Sequence, residues 1–458
     1  MTTIAFTLLL VLSVLAYAWN RQAAGAIRVG GGRLHSLTSF HGLYGLLLVL
    51  VPLTLIVLVW IALRGPVVDR LLMAGLPPDA LAATDPGQRG LLLSEIKSIA
   101  AGRIFGTPEP WKLEAAASLQ ALQQRASLLL VLVVAVGGLV LLAVARRTVS
   151  AEFRARQGAE RIVMGLMVAC SVVAVFTTIG IFASLLFETI KFLRLVPLTE
   201  FLFGTRWEPQ IPIRADQIAA AGAFGAIPVI LGTIVIMVIA LTVAIPTGIF
   251  TAIYLNEFAS ARTRSWAKPM LEILSGVPTV VYGFFAILVV APALRSFGTS
   301  IGLPVSPNTA LAAGSVMGIM LIPFISSFTD DALNAVPRSL RDGALALGAT
   351  RAETMMNVLF PAAIPGIAGG ILLAVSRAIG ETMIVVMAAG LMATMTINPL
   401  DSVTTVTVQI VTLLIGDTSF DNPKTLAAFA LGMLLFLITL GINVLALRIV
   451  RRYRELYD

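Results

Sequence analysis

DALNAVPRSLRDGALALGATRAETMMNVLFP, Asp331 to Pro361, separates two long apolar runs. It is too long and too patterned for a simple turn. Pro337 suits a helix start, because the missing N–H is not needed in a first turn. SLRDGALAL continues as one helix, Gly348 breaks it, and ATRAETMMNVLF begins another that Pro361 is expected to stop. Two short helices bent at a glycine make a compact knob that would fit a partner's groove. The same composition also suits a helix pair lying on lipid headgroups.

The solvent around this segment follows from composition. The 458 residues are 58% hydrophobic and 12% charged, whereas an ordinary globular chain carries about 25% charged residues. Much of the chain must therefore sit in lipid. The formal charge of +8 lies in short segments between the apolar runs, the placement expected of membrane topology rather than nucleic-acid binding. Cys170 is the single cysteine, so no disulfide framework or CxxC site is expected. His35 and His41 have no second pair of metal ligands nearby in sequence.

A spanning helix needs about 20 mostly apolar residues. Such runs lie at Thr3–Trp19, His41–Leu63, Ala126–Ala145, Ile162–Phe187, Ala223–Leu255, Met270–Leu294, Thr309–Thr329, Pro361–Leu391 and Thr425–Leu447. Basic segments occur at Arg21–Arg33, at Arg146–Arg161, at Arg262, Arg264 and Lys268, at Arg338, Arg341 and Arg351, and in the C-terminal RIVRRYREL. They alternate with acidic or mixed segments such as Asn398–Pro423, with Asp401, Asp417 and Asp421. Placing the basic segments in the cytoplasm predicts an outside N-terminus and an inside C-terminus. Ala16-Tyr17-Ala18 has the small-residue pattern of a cleavage site, but Met1-Thr2-Thr3 lacks a basic residue. An uncleaved anchor is expected. In the long outside segment Arg64–Arg125, PGQRGLLLSEIKSIAAGRIFG and PWKLEAAASLQALQQRA read as amphipathic helices.

Spacing decides how the Asp331–Pro361 knob is read. Asp342-Gly343-Ala344, three residues, Gly348, nine residues, then Val358-x-Phe360-Pro361 resembles the EAA motif of ABC-importer permeases, E-A-A-x3-G-x9-I-x-L-P. The spacing matches throughout, with Asp for Glu, Gly for the first Ala, Val for Ile and Phe for Leu. The resemblance implies that Asp342, Gly343, Ala344, Gly348 and Pro361 belong to a loop that docks into a cytoplasmic ATPase. None of the five lysines follows a glycine, so the chain has no phosphate-loop motif and hydrolysis is assigned to another polypeptide. From Ile162 onward, FLFGTRWEP (Phe201–Pro209), LEILSGVPTVVYGFF (Leu271–Phe285) and SRAIGETM (Ser376–Met383) resemble the PstC family of phosphate-importer permeases. The sister PstA permeases are similar.

SRAIGETM places Arg377 and Glu381 inside the eighth run. At the centre of a helix in lipid an Arg or Asp costs about 2.5–3.5 kcal/mol to insert. Four-residue spacing predicts both on one helix face, each partly neutralising the other. An exposed pair is worth only about 0.3–0.5 kcal/mol, so both should face a bundle interior or polar cavity. One reading is a buried tie to a neighbouring span. The other is a place on an anion path, because guanidinium presents a planar fork matched to phosphate oxygens. Glu381 would then hold the fork between anions, keeping binding weak and reversible.

Other features read as structural. Thr233, Thr242 and Thr247 suit a path or a bond to their own helix, the second being commoner. Pro278 is expected to bend the sixth span, and Glu257 to be a solvated interface residue. No metal cluster, nucleophile–base set or phosphate loop supports an enzyme. The expected fold is all-α: a polytopic membrane protein of about nine transmembrane helices. Residues 1–160 read as an extension with three spans and an outside loop at about 64–125, and 161–458 as a six-span type I ABC-importer permease bundle. The resemblance implies a homologous permease, two ATPase copies binding ATP and Mg, and a periplasmic phosphate-binding protein as partners, with no cofactor in this chain and an inner-membrane location. Another oxyanion importer (sulfate or molybdate), the sister phosphate permease PstA and a phosphate-responsive signalling scaffold are the alternatives.

Overall fold

The computed structural model describes residues 2–76, 86–103, 108–209, 223–415 and 422–454. Among these, nine helices are long and apolar enough to cross a membrane. The expected acidic residues Asp417 and Asp421, the end of the first amphipathic segment (104–106) and the last residues of RIVRRYREL (455–456) lie outside the described residues. The chain divides into two compact units, Met1–Thr177 and Thr178–Asp458.

In the first unit α1 (Thr2–Val29), α2 (Thr38–Ala74) and α4 (Pro110–Arg147) pack through apolar residues at helical spacing. Leu9, Leu12 and Ala16 of α1 meet Val49, Leu53 and Val57 of α2 and Leu130, Val134 and Leu142 of α4. Their opposite faces expose leucines and valines, the arrangement of a bundle whose solvent is lipid. The first amphipathic segment forms α3 (Pro86–Ala100). The second is the N-terminal part of α4, continuous with the third span rather than a separate helix. A small second core joins Val68 and Leu72 to Ile96, Ile99, Ala116 and Leu119. Lys97–Asp69 (2.8 Å) and Lys112–Glu95 (2.9 Å) ion pairs flank it.

The unit boundary falls inside α5 (Ala155–Leu195). Residues 163–184 of this helix are exposed on every side although most are apolar, which fits a helix surrounded by lipid or membrane partners.

The second unit begins with α6 (Leu198–Phe203) and a two-residue antiparallel pair, β1 (Trp207–Glu208) with β2 (Ala223–Phe224). The fifth span therefore starts at Ile227, not Ala223: α7 (Ile227–Ile253) ends in a π-helical turn, Tyr254–Phe258. The basic segment 262–268 is not a loop but part of α8 (Ala261–Gly276), whose Ser260 hydroxyl accepts the Thr263 N–H at 3.1 Å. Val277 and Pro278 end that helix, and α9 (Thr279–Phe285) continues through a π-turn into α10 (Ala291–Ser300). Pro278 thus separates two helices instead of bending one, its fixed φ and absent N–H suiting the start of α9.

The heart of this unit is the crossing of α7 with α11 (Ala310–Ala335). Gly314 and Gly318 let the backbones approach: a Cβ would lie 2.7 Å from the Ile239 Cβ at the first and 2.8 Å from the Ala240 oxygen at the second. Small residues four apart are the usual means of close helix packing in lipid. Ile236, Met317, Leu321 and Ile325 are fully enclosed around this crossing, with Ala374 and Ile384 from later helices.

The Asp331–Pro361 segment begins as the end of α11. Then come α12 (Arg338–Ala346), a turn with Gly348 at φ +90°, and α13 (Arg351–Thr354). Thr350 and Glu353 form a capping box at the start of α13. Contrary to expectation, Pro361 does not stop the chain. A π-turn at Met355–Leu359 carries the helix into α14 (Phe360–Ile379), with Pro361 in its first turn. The wider turn relieves the clash a proline ring makes with the preceding turn of an α-helix. The eighth apolar run is also shorter than predicted: α14 ends at Ile379, and α15 (Met383–Ala388) is a separate element. It is followed by α16 (Val406–Leu414) and α17 (Pro423–Arg454).

Candidate functional site: a cavity beneath Arg377

The last turn of α14 points Arg377 into a cavity of about 510 Å³. The C-terminal half of α11 supplies Phe324, Ser326, Ser327, Asp330 and Asp331 to its wall, and α8 supplies Lys268, Glu272 and Ser275. Ala252 and Leu255, at the end of α7, close another side. Position follows from packing. Gly370 lets α14 lie against α11, since a Cβ there would meet the Phe328 Cβ at 2.6 Å. Two turns later along α14, Arg377 reaches the face of Phe324, its guanidinium carbon 5.7 Å from the ring centroid. Such cation–π contact holds a guanidinium without neutralising it.

The expected mutual neutralisation of Arg377 and Glu381 does not occur. Glu381 lies beyond the end of α14, past Gly380, so four-residue spacing no longer places it on the arginine's face. Its Oε1 instead accepts the backbone N–H groups of Thr382 (3.1 Å), Met383 (3.0 Å) and Ile384 (3.4 Å), at the start of α15. A carboxylate is favoured there because several unpaired N–H groups converge on it. Its backbone oxygen accepts the Thr407 hydroxyl at 2.9 Å, fixing the turn to α16. Among the described residues, Arg377 has no ion-pair partner.

Two of the cavity's other charges are tied to each other. Lys268 Nζ lies 2.6 Å from Asp330 Oδ2, and Asn256 Nδ2 donates to Asp330 Oδ1 at 2.7 Å. Glu272 and Asp331 also line the wall. Two cations and three carboxylates therefore surround the space. Arg377 is the one cation of this lining outside an ion pair among the described residues, and the carboxylates outnumber the cations.

A second cavity of about 550 Å³ lies toward the knob, lined by Asn256, Arg264, Lys268, Asp330, Arg338, Arg341 and Asp342. Here Arg341 Nη2 of α12 meets Glu257 Oε1 of the π-turn at 2.7 Å. Glu257 is not solvated as expected: its side chain is 3% exposed, and the other carboxylate oxygen is buried without a hydrogen bond. Arg264 donates to the backbone oxygens of Leu255 (2.7 Å) and Asn256, which the π-turn leaves available. Of the predicted coupling residues, Asp342 and Gly343 are exposed on α12, Ala344 is half-buried, and Gly348 is exposed at the bend. Sequence reasoning missed the Glu257–Arg341 and Lys268–Asp330 pairs. The available signal was a carboxylate near the end of each of two apolar runs, close to basic segments counted only for orientation.

Thr233, Thr242 and Thr247 bond their own helix, donating to the oxygens of Val229 (2.7 Å), Val238 (2.8 Å) and Val243 (2.5 Å). Thr233 also accepts the Val406 N–H at 3.1 Å. That joins α7 to α16.

Comparison with known proteins gives this arrangement a lineage. Residues 244–455 match the family model of binding-protein-dependent transport system inner membrane components. Residues 6–177 match a separate model described as phosphate ATP-binding cassette transporter. The chain is 32% identical over 240 residues to a probable ABC transporter permease, YqgH, of Bacillus subtilis, covering 52% of this chain and 74% of that protein. It is 30% identical over 264 residues to the phosphate transport system permease PstC of Xylella fastidiosa, covering 54% and 76%. With PstC 1 of Mycobacterium bovis it shares 32% identity over 277 residues, covering 55% and 81%. The chain belongs to the family of binding-protein-dependent inner-membrane transport components, in its PstC branch.

Proposed function

We propose that this chain is the transmembrane permease subunit of an ATP-driven importer of inorganic phosphate. The single observation that carries the substrate reading is Arg377: a guanidinium without an ion-pair partner among the described residues, aimed into a cavity with serines on its wall. A planar fork of donors suits a tetrahedral oxyanion and stays charged at any working pH. The PstC relatives favour phosphate over sulfate or molybdate. Residues 161–458 act as the transport domain and 1–160 as an added membrane domain, in a bacterial inner membrane with the N-terminus periplasmic and the C-terminus cytoplasmic.

The knob supplies the coupling. α12 exposes Leu340 and Leu345, and Leu347 just past its end is 92% exposed, together an apolar surface for a cytoplasmic ATPase. Two copies of that ATPase bind ATP and Mg, a homologous permease completes the pathway, and a periplasmic phosphate-binding protein delivers substrate. Motion of α12 passes through Arg341 to Glu257 at the end of α7, the helix whose Ala252 and Leu255 wall the Arg377 cavity. A push on the knob therefore reshapes the space where the anion sits. Arg377→Lys keeps the charge and removes the fork. It should assemble normally yet transport phosphate at least tenfold more slowly in reconstituted vesicles. Wild-type uptake by that variant would remove the bidentate contact from the mechanism.

A further inference from the structure

The first unit carries a groove of its own, lined by residues outside the Arg377 cavity. Between α2 and α4 runs a groove of about 650 Å³ whose wall is apolar apart from two arginines and one indole. Leu55, Val59 and Leu63 of α2 and Leu129 of α4 line its membrane part, each at least half exposed. Arg64 and Arg125 line the same groove where the two apolar runs meet the extramembrane segment. The helices are antiparallel: Leu53 and Val57 share a core with Leu130 and Val134, and Val68 and Leu72 with Ala116 and Leu119. Residues 64 and 125 therefore lie at one level. Neither arginine has an ion-pair partner among the described residues, and no carboxylate lines the groove. Trp60, one turn below Arg64, lines the groove with its ring, its indole N–H being closed off inside the protein.

We infer that this groove holds one anionic phospholipid. An acyl chain would lie along Leu55, Val59 and Leu129, and the headgroup phosphate between Arg64 and Arg125. Two requirements coincide in one ligand: an apolar tail at membrane depth and a negative group at the interface. A second protein's apolar helix would satisfy only the first. Soluble phosphate would satisfy only the second.

The full-length chain, purified in detergent, is tested by native mass spectrometry after equal additions of phosphatidylglycerol and phosphatidylethanolamine. The wild type should retain phosphatidylglycerol at least fivefold more than an R64Q/R125Q variant, and that variant should lose its preference between the two lipids. Equal retention by both proteins overturns the site. A second measurement leaves the arginines intact. In vesicles, the emission assigned to Trp60 by comparison with W60F should be quenched more by brominated phosphatidylglycerol than by brominated phosphatidylethanolamine; equal quenching overturns the site. A photo-crosslinker at position 59 should yield a lipid adduct. Recovery on another protein chain would assign the groove to a subunit contact and overturn the inference.

Discussion

Glu381 shows how one residue changes role when a helix stops twelve residues earlier than its apolar run. The charges of Arg377 and Glu381 were legible in sequence because ionised side chains are costly in lipid and stand out there. Their separation was not. Spacing predicts a shared face only if the helix continues, and Gly380 with the turn at Thr382 ends it. The carboxylate then serves the N–H groups of α15 and leaves the guanidinium to the cavity. Losing such a cap costs about 1 kcal/mol. Glu381→Ala should therefore speed amide hydrogen exchange in residues 382–388 roughly fivefold, whereas Glu381→Gln, which keeps one acceptor, should do so less. A Glu381→Gln protein with unchanged exchange and abolished uptake would return the residue to a direct part in anion passage.

At the scale of elements, the knob divides into a rigid helix and a fixed bend. Gly348 needs its positive φ of +90°, and an L side chain there costs about 1–2 kcal/mol. Gly343 sits inside α12, where an added methyl group would meet nothing within 4 Å, so alanine there gains about 0.5–1 kcal/mol. Hydrogen exchange should separate them: Gly348→Ala loosens residues 338–354, and Gly343→Ala tightens residues 338–346. Equal effects would mean that the bend is not held by that φ. The latch to α7 has its own signature. Arg341→Ala strands the buried Glu257 carboxylate and should lower stability by about 2 kcal/mol, while Glu257→Gln with Arg341→Ala should recover part of it. Thermal unfolding of the four proteins in the cycle measures that coupling, and strict additivity would deny it. Neither latch nor cavity pair was readable from sequence, since Glu257 and Arg341 stand 84 residues apart and Lys268 and Asp330 stand 62 apart. Helix breaks were equally hidden. In an apolar run, Pro278, Gly380 and the π-turns are decided by packing, with little polar punctuation to announce them.

The whole molecule was more legible than its parts. Nine apolar runs predicted nine spanning helices, and nine lie among the described residues, because length and composition alone determine what can cross a bilayer. The spacing of Asp342, Gly348 and Pro361 pointed to the transport family that comparison then showed, while the first 177 residues carried no motif that sequence reading could use. At this scale the Arg377 cavity is proposed to belong to a phosphate conduit driven by a partner ATPase. The most direct measurement is ATP-dependent uptake by the assembled transporter in proteoliposomes, with phosphate, sulfate and molybdate in parallel. Uptake of phosphate, not displaced by excess sulfate or molybdate, is the predicted result; uptake of another oxyanion, or of none by an intact complex, would contradict it.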